Sequence, residues 1–286
     1  MDILRRLLNP LGDEKVKKRE YKDLSKDSKQ VTARPPSDLL LYSRDIAGTQ
    51  IQKHMLILNN CKWIRAEYTY PAFDSMNFIY KNRVFSIIID IQDFEGNSYL
   101  PEEYIKRQIY ASKKNNLIPC KFPVLVDNPH NPDFKTVRAL RDGWNLYHTE
   151  NNEIIIPEHI ATTDKIVMSE WEMRNFAITF VRKYLQAKQL KMLSFQDTLE
   201  VDPQIWFEDA NGEKCWIVVR CAKHPETEAE KPEKLNEIVR RCFTKDGYFA
   251  GVVLYPVNKD ENDKELYRNG NVNIEFKGLE KIHTKM

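Results

Sequence analysis

The sequence predicts an α/β protein with mixed sheets, built from two tandem units of the same order. Amphipathic helical stretches alternate with short runs of β-branched residues, such as RVFSIIIDIQ at 83–92, and such runs favour strands. The order helix, three-strand meander, helix, strand, strand then occurs twice, at about 44–150 and 168–282. We therefore expect a duplicated α/β fold in which each unit combines antiparallel and parallel strands.

The first unit is predicted to open with a helix at about 43–60. A second helix is expected from Pro101, since proline suits the first helical turn and the acids that follow it suit the helix dipole. The strands of this unit are expected at 62–70, 76–81, 83–92, 118–127 and 144–149.

The second unit repeats this order from Met168, and an Asn211-Gly212 pair marks a hairpin between two of its strands. Its strands are expected at 190–195, 204–208, 214–221, 248–256 and 272–276. Four matched pairs of residues are separated by 127 to 131 positions: Asp74 and Asp202, Pro101 and Pro232, Asn128 and Asn258, Gly143 and Gly270. This spacing indicates a duplication; the alternative is a chance agreement between two ordinary α/β domains.

A charged leader or linker is predicted at 1–38, before a first domain at 39–158 and a second at 159–286. Residues 1–29 carry nine Lys/Arg and six Asp/Glu, and residues 12–38, which mix charges of both signs, resemble a solvated helix or a disordered linker. Five apolar residues recur there at helical spacing: Ile3, Leu4, Leu7, Leu8 and Leu11. They indicate a frayed terminus, a helix that docks on the protein's own body, or a contact with a partner or a membrane surface.

The composition bears on the compartment and on the partners of the chain. No apolar run approaches the roughly 20 residues that cross a bilayer, and Arg5 and Arg6 interrupt the apolar start that a secretion signal would need. The five cysteines include no CxxC pair and are interpreted as buried thiols. We expect a cytoplasmic protein without a membrane span, and the net charge of +2 gives little indication of nucleic-acid binding.

Acidic residues at two matched places are the candidates for chemistry. Asp74 precedes a strand, and Asp90 and Gln92 are two apart on the next strand, so they share a face. Together with the order of elements, this pattern resembles the PD-(D/E)xK nuclease family. The resemblance implies a Mg²⁺ site at Asp74 and Asp90 with Gln92 at the position of the lysine, a departure that removes the cation which polarises the attacking water.

In the second unit the same spacing places Val218 and Arg220 where the nuclease pattern has its acid and lysine. Asp202 is then the one acid of the pattern, and a single Asp beside an Arg is no metal site. We interpret Asp202, Arg220 and Lys223 as binding residues. The order of elements is also similar to the small α/β units of secretion-chaperone-like and YbjN-like proteins, and that resemblance implies protein binding without an active site.

Other motifs point to no further chemistry. The sequence contains no His or Cys at zinc-ligand spacing, no P-loop, no GxGxxG and no GxSxG. The leading hypothesis is a non-catalytic macromolecular interaction protein with a protein partner and no cofactor. The alternative is a nuclease-like, metal-dependent enzyme or nucleic-acid binder that uses Asp74, Asp90 and Gln92, with Mg²⁺ as its cofactor.

Overall fold

The computed structural model describes residues 37–66, 76–197, 199, 201–242, 246–257 and 265–282, together with the backbone of 68–69 and 72–73. Asp74 and almost all of the predicted leader at 1–38 therefore lie outside the described residues. The chain divides into two compact units, 1–163 and 164–286.

The first unit begins with helix α1, Asp38–Met55, followed along the chain by α2, Glu102–Lys114, and the short α3, Pro157–Ile160. Helix α1 starts at Asp38 because the Ser37 hydroxyl accepts a hydrogen bond from the Leu40 N–H at 3.2 Å, a typical N-cap. The strands are β1 Cys61–Arg65, β2 Tyr68–Thr69, β3 Ala72–Phe73, β4 Met76–Tyr80, β5 Arg83–Gln92, β6 Ile118–Leu125, β7 Arg138–Ala139, β8 Leu146–His148 and β9 Ile154–Ile155.

The main sheet of the first unit has the order β1-β4-β5-β6-β8-β9, and β7 pairs with β6 outside this path. Strands β1, β4 and β5 form an antiparallel meander. Strand β6 runs parallel to β5, because the chain returns through α2 before it enters the sheet. Strands β2 and β3 form a separate hairpin.

One face of this sheet carries the hydrophobic core. Ile87 and Ile91 of β5 pack with Ala47 and Ile51 of α1 in a single cluster. Since successive side chains of a strand point to opposite faces, Asp90 faces away from this cluster. The alternation of β5 therefore separates the core from the candidate site.

The second unit contains helices α4, Glu170–Ala187, and α5, Leu235–Arg241. Helix α4 starts with a capping box, in which Ser169 and Glu172 each bond the backbone N–H of the other. The strands are β10 Lys191–Phe195, β11 Ile205–Glu208, β12 Lys214–Lys223, β13 Gly247–Pro256, β14 Val272–Phe276 and β15 Glu280–Ile282. The sheet order is β10-β11-β12-β13-β14, β15 also pairs with β13, and β12 and β13 are parallel.

The face of the second sheet that meets α5 is packed around Trp216, which is 1% exposed and belongs to a core cluster with Val218, Ile238 and Phe249. Trp216 lies opposite Gly247 in the parallel ladder. A Cβ atom at Gly247 would come within 2.1 Å of the indole ring. Glycine at this position thus makes room for the indole against β13.

The predicted α/β class with mixed sheets is confirmed, and both units follow the predicted order. The two units also match in features that the sequence prediction did not use. The first helix of each unit is 18 residues long and is capped by a serine. The ladder of the first strand pair shifts register between Trp63 and Arg65 in one unit and between Met192 and Ser194 in the other. Irregularities of this kind protect edge strands from pairing with other chains.

The last strands of the two units differ from the predicted correspondence. Spacing matches 272–276 with 144–149, but β14 pairs with the carboxyl-terminal half of β13, as β7 does with β6. Strand β15 pairs with the start of β13, as β8 does with the start of β6. In each unit the chain thus re-enters the sheet in two steps, but the first of these strands has five residues in β14 and only two in β7, so the sequence pattern revealed β14 and not β7.

None of the described helices combines the length and the apolar composition that a membrane span requires.

Candidate functional site

Asp90, the central candidate of the first unit, lies on β5 and is 1% exposed. Its Oδ2 accepts a hydrogen bond from Gln92 Nε2 at 2.7 Å, which places the two residues on one face as the sequence predicts. Its Oδ1 accepts one from the Ser98 hydroxyl at 2.5 Å. Both carboxylate oxygens are therefore bonded within the unit.

A lysine from the neighbouring strand completes this site. Lys121 lies opposite Ile88 in the parallel ladder of β5 and β6, so it projects from the same face as Asp90. Its Nζ is 3.6 Å from Asp90 Oδ2, and its side chain is 17% exposed. The structure thus supplies a cation from β6 that the pattern Asp90-x-Gln92 lacks.

The loop after β5 brings Ser98 back to Asp90. Asp93 organises this loop, because its carboxylate accepts hydrogen bonds from Glu95 N at 3.0 Å, from Asn97 N at 2.9 Å and from the Tyr99 hydroxyl at 3.0 Å. The side-chain hydrogen bond from Asn97 is the largest influence on Asp93 and lowers the pKa of its carboxyl. Asp93 is accordingly occupied in shaping the turn.

The candidates of the second unit also bond to each other. Asp202 and Arg220 form a bidentate pair, with Nη1 to Oδ1 at 2.8 Å and Nη2 to Oδ2 at 2.7 Å. Gln204 Nε2 donates a further hydrogen bond to Asp202 Oδ1 at 2.7 Å. Burial alone would raise the pKa of Asp202, but the hydrogen bonds from Arg220 and Gln204 oppose it and the pKa falls below its ordinary value.

Lys223, the third predicted binding residue, forms a separate ion pair with Glu265 at 2.8 Å. Of the three predicted binding residues, Asp202 and Arg220 therefore contact each other, whereas Lys223 contacts Glu265.

The third strand of the meander, β5 in the first unit and β12 in the second, carries site residues of opposite charge in the two units. Ile87 lies opposite the first residue of β4, and Ile217 lies opposite the first residue of β11. Counted from these positions, Asp90 corresponds to Arg220, whereas sequence spacing predicts Val218. Strand β5 therefore carries the acid of its site, Asp90, whereas β12 carries the cation of its site, Arg220.

The described side chains do not assemble a metal centre. In the described ranges, no group of three or more His, Cys, Asp or Glu side chains is placed to hold an ion. Mg²⁺ requires several oxygen ligands in near-octahedral geometry, and both oxygens of Asp90 already accept hydrogen bonds. The predicted Mg²⁺ pair of Asp74 and Asp90 has only Asp90 within the described residues.

The cysteines offer no activated nucleophile. Burial is the largest cause that raises the pKa of Cys221 to about 12 and that of Cys61 and Cys242 to about 12. Burial also raises the pKa of Cys120 and brings that of Cys215 to about 11. Because the thiolate is the reactive form, these thiols stay protonated and unreactive at neutral pH.

Fold and sites together define a two-unit α/β protein in which the described candidate acids, Asp90 and Asp202, are bonded to neighbouring side chains. The second unit is similar to a described family: a family model with the description Domain of unknown function (DUF8840) matches residues 171–282. No curated protein and no solved structure matches the chain.

Sequence reasoning missed Ser98 and Lys121 in the site of the first unit. Lys121 has a readable signal, because a lysine inside the apolar run IPCKFPVL of β6 needs a partner. Ser98 has none, because its contact with Asp90 depends on the path of the 93–99 loop.

Proposed function

We propose that the chain is a non-catalytic macromolecular interaction protein whose partner is another protein. One observation carries the proposal: the two nuclease-like acids that the structure describes, Asp90 and Asp202, are already bonded to side chains of their own unit. Both oxygens of Asp202 accept hydrogen bonds from Arg220, and those of Asp90 accept hydrogen bonds from Ser98 and Gln92.

The energetics of these contacts support a structural role. Hydrogen bonds to a charged group contribute about 1.5–3 kcal/mol each, so a metal ion that displaced the partners of Asp90 would forfeit several such contributions. In the second unit the ion would also have to separate Asp202 from a guanidinium that holds it with two nitrogens. The acids therefore stabilise the fold in the form that the structure shows.

A second candidate function is favoured by one contact. Lys121 Nζ lies 3.6 Å from Asp90, and a nuclease-like enzyme needs a cation beside its metal-binding acids. In this alternative, Asp74, Asp90 and Gln92 would bind Mg²⁺ and Lys121 would stand in for the lysine that Gln92 replaces. Nucleic acid would then be the substrate or the partner.

Cleavage assays separate the two candidates. We expect the purified chain to leave duplex DNA, single-stranded DNA and RNA intact in millimolar Mg²⁺ or Mn²⁺. Its cleavage rate should not exceed that of the Asp90→Asn variant. Asp45→Asn is the matched control, because it makes the same change on an exposed position of α1. Metal-dependent cleavage by the wild-type chain and by Asp45→Asn that is lost in Asp90→Asn or Lys121→Met would overturn the proposal.

The nature of the partner is tested by cross-linking the tagged chain in its native cells. We expect amine-reactive reagents to join the chain to one dominant protein, and the complex to survive nuclease treatment. A complex that is recovered only by ultraviolet cross-linking to nucleic acid, and that is lost on nuclease treatment, would contradict a protein partner.

A further inference from the structure

Strand β14 forms one edge of the second sheet. Within the described part of the chain, no further strand pairs with the side of β14 that faces away from β13. None of its five residues is buried. An edge strand presents a row of unpaired N–H and C=O groups, with which the backbone of another chain can pair.

The other described edges of the two main sheets carry features that hinder such pairing. The ladders of β1 and β10 shift register, β7 and β9 have two residues each, and two of the three residues of β15 are charged. Strand β14 instead keeps a regular register over all five of its residues and contains neither lysine nor proline. Since proteins use such features to protect their edges, the regular edge of β14 indicates a pairing surface.

The ladder shows which groups of β14 point outward. The Val257 N–H donates a hydrogen bond to the Asn271 carbonyl at 3.1 Å, and from this pair onward bonded and non-bonded pairs alternate along an antiparallel ladder. Ile274 lies opposite Leu254, whose carbonyl accepts a hydrogen bond from the His224 N–H on the other side of β13. The N–H and C=O of Ile274 therefore point away from β13.

The two faces beside this edge differ in chemistry. On the α4 face, the Phe276 ring contacts the rings of Phe180 and Tyr184, with centroids 5.5 and 5.2 Å apart. On the other face, Glu275 lines a groove of about 450 Å³. Because the residues of a strand alternate between the faces, a strand added to β14 has every second side chain beside aromatic rings and the others beside the groove.

The groove carries an excess of negative charge, because three acids and two lysines line it. Lys231 pairs with Glu280, and Lys277 pairs with Glu228. Glu275, which is exposed, is the third acid. Opposite charges on neighbouring strands stabilise their pairing. A basic segment fits this edge, whereas a second copy of the chain would bring another Glu275 and a nucleic acid would bring phosphates.

We propose that β14 binds an extended segment of the protein partner, in which apolar and basic residues alternate. The backbone of the segment pairs with Ile274 as an added strand. Its apolar side chains lie beside Phe276, and its Lys or Arg side chains lie beside Glu275. Because the occupant is a protein segment, the inference deepens the proposed function and rests on it for the class of the partner.

The probe is a fluorescent peptide in which valine and lysine alternate, titrated with the purified chain and followed by fluorescence anisotropy. We expect saturable binding. A peptide of the same length in which valine and glutamate alternate should bind at least about tenfold more weakly. N-methylation of every second residue removes one of the two rows of backbone donors, so one of the two possible methylation patterns should abolish binding and the other should preserve it.

Two variants of β14 locate the binding. Ile274→Pro removes an outward N–H and no bond to β13, a change that edge strands tolerate, and it should weaken binding of the valine–lysine peptide at least about tenfold. Glu275→Gln should weaken it by a smaller factor, because the backbone pairing remains. Glu213→Gln makes the same change at an exposed position of the β11–β12 hairpin and should bind like the wild type.

Several results would overturn the proposal. They are the absence of saturable binding of the valine–lysine peptide, equal binding of the valine–glutamate peptide, and unchanged binding in both methylated peptides. The methylated peptides keep the test valid even if Ile274→Pro were to fold poorly. A dimer in sedimentation velocity that Ile274→Pro converts to a monomer would also overturn it, because a second copy would then occupy the edge.

These outcomes are independent of the cleavage assay. Cleavage that depends on Asp90 would defeat the proposed function while peptide binding at β14 stood, and absence of peptide binding would defeat only the inference about β14.

Discussion

Replacing Arg268 by methionine should lower the free energy of unfolding of the second unit by about 3–5 kcal/mol. Arg268 and Glu172 are 1% and 6% exposed at their side chains and meet through two hydrogen bonds at 2.7 and 2.8 Å. The variant leaves the Glu172 carboxylate buried without its cation. Urea denaturation, together with hydrogen exchange in the 170–187 helix, measures the loss.

Two variants calibrate this result. Lys277→Met removes one partner of an ion pair with Glu228 whose side chains are 68% and 76% exposed, and should leave the midpoint of urea unfolding nearly unchanged, because solvent screens an exposed pair. Arg268→Met combined with Glu172→Leu removes both charges and should recover part of the loss, although it also removes the capping box of α4. A loss of less than about 1 kcal/mol in Arg268→Met would show that the pair does not hold the unit together.

Replacing Phe78 by alanine should destabilise the first unit by about 3–5 kcal/mol. The Phe78 side chain is fully buried. Its ring stacks on Phe85 with centroids 4.7 Å apart and on Trp144 with centroids 5.6 Å apart. Alanine would leave a cavity between both rings and remove these two stacking contacts together with an edge contact to Trp63 at 5.9 Å.

The matched control for Phe78 is Phe94→Ala. Phe94 is 54% exposed and lies under Arg138 at 5.7 Å, so its loss should change the free energy of unfolding by less than about 1 kcal/mol. Equal losses in the two variants, measured by urea denaturation with tryptophan fluorescence, would contradict the packing described for the first unit.

The order of elements could be predicted from sequence because it depends on local patterns. β-Branched runs, the proline at the start of a helix and the Asn-Gly hairpin each act within a few residues. The correspondence of the last strands could not be predicted from sequence, because it depends on which half of β13 pairs with β14. Spacing along the chain does not indicate which distant segments pair. Spacing also gave the wrong counterpart of Asp90, Val218 in place of Arg220. The cause is the same, because the pairing of residues in the ladders sets the register and spacing along the chain does not.

The candidate sites were predicted in part. Spacing identified Asp90, Gln92, Asp202 and Arg220, and each of these residues lies in a polar cluster. It did not predict that Asp202 and Arg220 bond to each other, because 18 positions and a change of strand separate them.

Titration of Mg²⁺ into the full-length chain by isothermal calorimetry tests the central claim most directly, because a structural acid and a metal ligand differ in this one property. With the wild-type chain and Asp90→Asn in parallel, the account predicts no saturable heat in either, since Ser98 and Gln92 already occupy both oxygens of Asp90. Binding of about one ion per chain by the wild type that disappears in Asp90→Asn, while Asp45→Asn binds like the wild type, would contradict it.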